Sequence, residues 1–294
     1  MIQVISLSPA VDVTYEVDEI TLGETHRVSK ATSRPGGKAL NVVRILSKLC
    51  IPTHLILPLG GPHGVWVAAA LEALDVPFTP VPVASPTRQC VTLLDGPRPT
   101  EFNEPPPALF RIEVEALADA VRPAQVSILS GSVSPDIGED AWASLLKTVR
   151  HQSETVIVDT SGWALPLATP YADYVKPNSS ELQAVSRVFE GGGIAALAPA
   201  TVLLSKAEGG AILYTDPPVF ARTPPQQGNP TGAGDALVAG FASQLEKGAT
   251  RALRFGVALA AASVRSPVAG DLSLEVLEEL LPLVEMSDDA PRSH

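Results

Sequence analysis

Between Gly228 and Ala236 the chain reads Gly-Asn-Pro-Thr-Gly-Ala-Gly-Asp-Ala and then enters an apolar run from Leu237 to Leu245. A glycine-rich turn feeding a helix makes an anion site, because the first N–H groups of a helix lack intrahelical partners and carry the positive end of its dipole. Gly232 and Gly234 let that backbone approach a phosphate without a Cβ in the way. Asp235 stands beside them. A carboxylate placed where phosphoryl oxygens are held suits the task of taking the proton from an attacking hydroxyl during phosphoryl transfer. The plain alternative is a first-turn acid favoured by the helix dipole. Two familiar phosphate loops are excluded: the third glycine of a dinucleotide fingerprint is missing, and no Gly-Lys-Ser/Thr follows a four-residue spacer.

Other residues of chemical interest are scattered along the chain. Asp12 follows the short apolar run Ile2 to Leu7, in the place past a strand end where open α/β sheets meet ligands, although a simple turn aspartate has the same pattern. Arg34-Pro35-Gly36-Gly37-Lys38-Ala39-Leu40-Asn41 runs into a helix with Leu40, Val43, Leu46 and Leu49 at helical spacing. Lys38 opposes that helix's dipole, so it calls for another purpose, such as contact with a phosphate or sugar oxygen. Arg88, in the strand-like run Thr87 to Leu94, reads either as a solvated edge charge or as a guanidinium fork on a phosphate. Asn178 and Glu181 have the spacing of a capping box, and the same acid can also face a phosphate and metal zone.

The elements that must position these residues follow a βαβ rhythm. Strands are expected at 54–61, 78–83, 125–129, 155–158, 201–205 and 211–214, with helices at 65–74, 112–121, 140–150, 182–189, 250–264 and 274–284. Short exposed strands at 13–19 and 27–33, with a hairpin from Thr87 to Asn103, read as a small lid over about 12–34 and 86–104. The tail from Ser287 to His294 reads as disordered. No linker splits the 294 residues, so the expectation is a single α/β domain over 1–294 with a mostly parallel sheet. A net charge of −11 argues against a nucleic-acid partner and requires a local basic cluster for any anionic substrate. Cys50, on a helix pattern, and Cys90, on a strand pattern, offer no disulfide framework. With no signal peptide and no spanning apolar run, the sequence reads as cytoplasmic with no membrane partner.

Four separated motifs, Ser8-Pro9-Ala10-Val11-Asp12, Pro35 through Asn41, Lys176 through Glu181, and Asn229 through Asp235, occur in the order found in the ribokinase/PfkB family of sugar kinases. The chain resembles that family over nearly its whole length, specifically the branch holding 1-phosphofructokinase, tagatose-6-phosphate kinase and the minor bacterial 6-phosphofructokinase. The resemblance implies a ribokinase-like fold: a central, mostly parallel β-sheet flanked by helices, with a small β-sheet lid. It also implies that Asp235 is the catalytic base and that the amides of Gly232, Ala233 and Gly234 form an anion hole. Asp12, Gly36, Gly37, Lys38, Asn41, Arg88, Arg27 and Asn103 would contact the acceptor. Lys176, Asn178, Ser205, Gly210 and Thr231 would serve the ATP side, and Glu181 would order water around Mg²⁺.

The cations Arg27, Lys38 and Arg88 favour a phosphorylated acceptor, such as fructose 1-phosphate, tagatose 6-phosphate or fructose 6-phosphate. The sequence leaves open a kinase of free sugars or nucleosides in the same fold, and a non-catalytic sugar-phosphate sensor. It departs from the branch at Cys90, usually Asn, at Glu104-Pro105-Pro106, usually Gly-Pro-Gly, at Ser134-Pro135-Asp136, and in a short stretch between Phe189 and Thr201 that carries Gly191-Gly192-Gly193. An exposed lid sheet invites pairing with a second copy, so a homodimer through the lid is expected.

Overall fold

The computed structural model describes residues 1–95, 99–188, 193–206, 210–266, 268 and 270–288. In chain order the first part contributes β1 (Ile2–Ser6), β2 (Ala10–Glu16), β3 (Lys30–Gly36), α1 (Lys38–Lys48), β4 (Thr53–Leu59), α2 (Gly61–Ala73), β5 (Phe78–Pro82), β6 (Arg88–Leu94), β7 (Pro99–Asn103) and α3 (Arg111–Ala120). Next come β8 (Ala124–Ser130), α4 (Glu139–Gln152), β9 (Ser153–Asp159), α5 (Ala164–Ala168), β10 (Tyr174–Val175), α6 (Ser179–Val188), β11 (Thr201–Ser205), β12 (Ala211–Leu213) and β13 (Val219–Arg222). The chain ends with α7 (Ala233–Gln244), α8 (Ala249–Val264), α9 (Leu274–Leu280) and β14 (Glu285–Ser287).

Among the described residues the strands form two sheets. The large one has the order β14-β13-β12-β11-β10-β9-β8-β1-β4-β5, parallel from β5 to β11 and antiparallel beyond. The chain winds outward from β1 in one direction through β4 and β5, and in the other through β8 to β11. The switch point therefore falls between β1 and β8, where parallel sheets open a crevice at the carboxyl ends of their strands.

Side-chain alternation explains the layers. Val4 of β1 joins the core under α1, α2, α7, α8 and α9, while its neighbour Ile5 joins the core under α3, α4, α5 and α6. Both faces are covered, as a parallel sheet requires, and burial of these aliphatic side chains is the main stabilising contribution. Trp142 of α4 is fully buried and donates its indole N–H to the Ala164 carbonyl at 3.0 Å. Helices α7 and α8 touch backbone to backbone: a Cβ on Gly240 would stand 2.8 Å from the Gly256 Cα. That contact fixes the direction of α7, whose first turn carries Asp235.

The second, smaller sheet, in the order β3-β2-β6-β7, is built from the segments expected to form a lid. Its register sets Arg34, Asp12, Cys90 and Asn103 in one row across the four strands. Strand β6 lies inside this sheet, so Arg88 at its first position is not on an edge. Arg27 lies in the connection before β3 rather than in a strand, and Cys50 follows the end of α1 with φ 55° rather than lying within the helix. The helix expected to reach Val284 stops at Leu280, because Pro282 cannot continue its hydrogen bonding and a short 3₁₀ turn follows. Strand β14 pairs with β13 and takes in Ser287, which the sequence assigned to the tail. The rest of that tail from residue 289, Arg98, Phe189, Gly191 and Gly192 lie outside the described residues. Among the described residues no helix is long and apolar enough to cross a membrane.

Candidate active site

Asp235 is the third residue of α7, whose N-cap, Gly232, takes the left-handed conformation at φ 82°. Only 5% of Asp235 is exposed, and Asn41 of α1 donates its Nδ2 to Asp235 Oδ2 at 2.8 Å. Strand β9 ends in Asp159 beside them. The carboxylate of Asp159 is fully buried and takes Lys38 Nζ at 3.2 Å and Lys176 Nζ at 3.1 Å. Lys38 also stands 3.7 Å from Glu181 Oε1. The carboxyl end of β9, the segment after β10 and the first turns of α1, α6 and α7 thus converge on one cluster.

Its charges are strongly biased. Burial, reinforced by the negative charge of Asp159, pushes the Asp235 carboxyl up to about 7, against the pull of Lys38, the Asn41 hydrogen bond and Lys176. Asp159 goes the other way: burial alone would raise it, but Lys176 and Lys38 hold it below the usual carboxylate range. Burial also works against the charge on Lys38, yet Asp159, Glu181 and Asp235 outweigh it and keep that ammonium protonated above its ordinary pKa. Two carboxylates whose surroundings drive their pKa values apart can take different proton-transfer roles.

A second cluster adjoins the first through α1. A Cβ on Gly36 would fall 2.0 Å from Asp12 Cγ, so only glycine leaves room for this carboxylate. Burial raises the Asp12 pKa, opposed by Arg34, Arg44, Arg88 and the Gly37 N–H, which donates to it. Arg34 Nε lies 4.0 Å from Asp12 Oδ2. Arg88 donates from Nη1 to the Glu104 carbonyl at 2.8 Å and from Nη2 to the Ser8 carbonyl at 3.3 Å. Burial lowers the Arg44 pKa to about 10, with Arg34 adding to the effect and Asp12, Asp271 and Asp235 opposing it.

The remaining predicted residues lie around these two clusters. Asn178 and Glu181 form the capping box at the start of α6, each accepting the other's backbone N–H at 2.8 Å. Ser205 at the end of β11 donates its N–H to the Pro177 carbonyl at 3.1 Å, and the Gly210 carbonyl accepts from Lys206 N at 2.8 Å; residues 207–209 between them lie outside the described residues. The Ala233 N–H is engaged by the Pro230 carbonyl at 3.1 Å, leaving Gly234 and Asp235 to present the first-turn amides. The Thr231 hydroxyl donates to Glu101 Oε1 of β7 at 3.2 Å, so the lid touches the loop that opens α7. Arg27 and Asn103 are exposed. Among the described residues no hydrogen bond or ion pair joins either of them to the two clusters. The Lys176 side chain, expected on the nucleotide side, is buried against Asp159.

Sequence reasoning missed Asp159, Arg34, Arg44 and Glu101. Asp159 had a signal: it is a lone charge closing the apolar run Val156-Ile157-Val158 at the carboxyl end of a strand. Arg44 also had one, since Lys38, Asn41 and Arg44 recur every third residue along α1. Arg34 and Glu101 had none, because their partners are set by lid register and lid position.

The chain is similar to known proteins over nearly its whole length. The chain is 30% identical to the 1-phosphofructokinase of Bacillus subtilis (strain 168) over 306 residues, covering 98% of this chain and 99% of that protein. It is 27% identical to a tagatose-6-phosphate kinase of Staphylococcus epidermidis, covering 83% of this chain and 85% of that protein. A crystal structure of phosphofructokinase-2 from Escherichia coli in complex with potassium superposes with a TM-score of 0.86 at 24% identity, covering 96% of this chain and 98% of the other, which shows the fold expected from the resemblance. The family model described as pfkB family carbohydrate kinase matches residues 1–276, so the chain belongs to the pfkB family of carbohydrate kinases.

Proposed function

We propose that this chain transfers the γ-phosphoryl group of ATP to a hydroxyl of a ketose phosphate, with Asp235 as the general base. The observation that carries this reading is a buried carboxylate in the first turn of α7 whose pKa is pushed up to about 7, where a base can accept a proton and later release it. Relatives named 1-phosphofructokinase and tagatose-6-phosphate kinase support a phosphorylated acceptor, as does the placing of Arg34 and Arg88 beside Asp12.

In this reading Asp12 and the backbone at Gly36 and Gly37 orient the sugar, and Asn41 offers it the N–H that Asp235 does not use. The lid, with Glu101 reaching Thr231, excludes water from the cleft. Asp235 takes the proton of the attacking hydroxyl, while first-turn amides of α7 and the ammonium of Lys38 face the charge that develops on the transferring group. Ser205, Gly210 and Asn178 lie on the nucleotide side. Glu181, at the start of α6 and 3.7 Å from Lys38, would order water around Mg²⁺ carried on the nucleotide phosphates. When bound, Mg²⁺ would neutralise phosphate charge.

The test is ADP release with MgATP against fructose 1-phosphate, fructose 6-phosphate, tagatose 6-phosphate, fructose and ribose, with Asp235→Asn in parallel. Turnover of one ketose phosphate, lowered about 10²- to 10⁴-fold in the variant, is expected. Full activity in Asp235→Asn would sink the assignment of the base. Turnover only of free sugars would retire Arg34 and Arg88 as a phosphate site, and sugar binding without ATP binding would point to a sensor.

A further inference from the structure

The catalytic carboxylate proposed above is held by a side chain that has two possible orientations. The amide of Asn41 presents an NH₂ on one side and a carbonyl on the other, nearly equal in shape and opposite in hydrogen-bonding character. Only one orientation serves Asp235, that with Nδ2 donating to Oδ2 at 2.8 Å, and both residues are almost fully buried. No local backbone geometry dictates the choice, since the two residues are 194 positions apart.

The other side of the amide supplies the answer. Arg44, one turn further along α1, donates Nη1 to Asn41 Oδ1 at 2.9 Å, and its Nη2 is anchored on the Pro35 carbonyl at 2.8 Å. A guanidinium can only donate. Rotating the amide by half a turn would set the NH₂ against the guanidinium and the carbonyl against the Asp235 carboxylate, two repulsive contacts at side chains that are almost fully buried. Gly270 closes a third side: a Cβ there would stand 2.5 Å from Asn41 Oδ1, at a backbone φ of +66°. The anchor on Pro35 also ties this device to the end of β3, immediately before the two glycines that flank Asp12.

We propose that Arg44 is a positioning residue for the phosphoryl transfer, orienting the Asn41 amide so that its N–H groups face Asp235 and the cleft. This inference rests on Asp235 being the base. It assigns Arg44 no contact with either substrate. Its loss is therefore expected in kcat more than in KM for the acceptor.

The experiment is a double-mutant cycle of Arg44→Met and Asn41→Ala, with Asp235→Asn alongside, measured on the ketose phosphate that the parent turns over at saturating MgATP. Arg44→Met is expected to lower kcat by about 10- to 100-fold, the size expected when a reacting group is slightly misplaced. In the Asn41→Ala background the same change is expected to cost little more, because Arg44 acts through Asn41. Arg44→Lys, which keeps one donor, is expected to restore part of the rate and serves in the same cycle should Arg44→Met fold poorly. Additive losses, or an unchanged kcat in both Arg44 variants, would overturn the inference and leave the base assignment standing. Full turnover in Asp235→Asn would overturn both. A readout that needs no turnover is the side-chain NH₂ resonance pair of Asn41, identified by its loss in Asn41→Ala. It should shift between the parent and Asp235→Asn and lose that sensitivity when Arg44 is Met; equal sensitivity in both backgrounds would dismiss Arg44 as the orienting group.

Discussion

Asp235 and Asp159 are buried carboxylates in one cluster, and their partners drive them in opposite directions. Asp159 has two ammonium groups and remains an anion; Asp235 has one neutral amide and the Asp159 charge nearby, so it releases its proton only near pH 7. A protonated Asp235 cannot accept a proton, so kcat/KM is expected to fall as the pH drops through about 7, well above the ordinary carboxylate range near 4. The acceptor's own phosphate titrates in a similar range, and Asp159→Asn separates the two. Removing that negative charge, and freeing Lys38 and Lys176 to act on Asp235, should move the acid limb to lower pH, whereas a limb belonging to the sugar phosphate would stay in place. Steady-state kinetics from pH 5 to 9 on both proteins would decide the matter, and an unmoved limb would remove Asp235 from the pH dependence.

Helix N-termini and strand ends set the positions of these residues. Helix α1 contributes Lys38, Asn41 and Arg44 from one face, α7 contributes Asp235 from its first turn, and β9 delivers Asp159 at its last position. The lid meets them where β3 runs into α1, and there Gly36 is the tightest point. Gly36→Ala would force Asp12 off its position, because the new Cβ would fall 2.0 Å from Asp12 Cγ. The expected result is a folded protein with an acceptor KM raised about 10-fold or more and an ATP KM little changed, since a displacement of about 1 Å at a binding group costs on that order. Isothermal titration with the turned-over sugar phosphate would show the same weakening; equal affinity in variant and parent would remove Asp12 from the sugar site.

At the scale of the whole molecule the lid is the least covered part. Its outer strands β3 and β7 are mostly exposed, and Leu22, Val28 and Phe102 present apolar surface on or beside it. An uncovered sheet of this kind is stabilised by pairing with another sheet, and a second copy is an available partner. The proposal is a homodimer joined lid to lid, with Phe102→Glu shifting the protein toward monomer. Sedimentation velocity at micromolar protein would show about twice the monomer mass in the parent and a concentration-dependent lower mass in the variant; a monomeric parent would dismiss the lid interface.

The βαβ rhythm, the glycine turn into α7, the capping box of Asn178 and Glu181, and the first-turn position of Lys38 were legible in the sequence, because each depends on local periodicity, capping chemistry or turn geometry. These also carried the family resemblance. The partners of the charged groups were not legible. Lys38 reads locally as a cation free to meet a phosphate, yet it lies between Asp159 and Glu181, which are 121 and 143 positions further along the chain. Arg88 reads either as an edge charge or as a fork on a phosphate, and the first is ruled out only by β6 having neighbours on both sides. Short strands such as β13 and β14 left little pattern because they are stabilised by sheet neighbours rather than by their own composition. Residue types and spacing determined which groups are available for chemistry. Only the tertiary structure decided which of them face one another, because burial and long-range pairing set each carboxylate's charge.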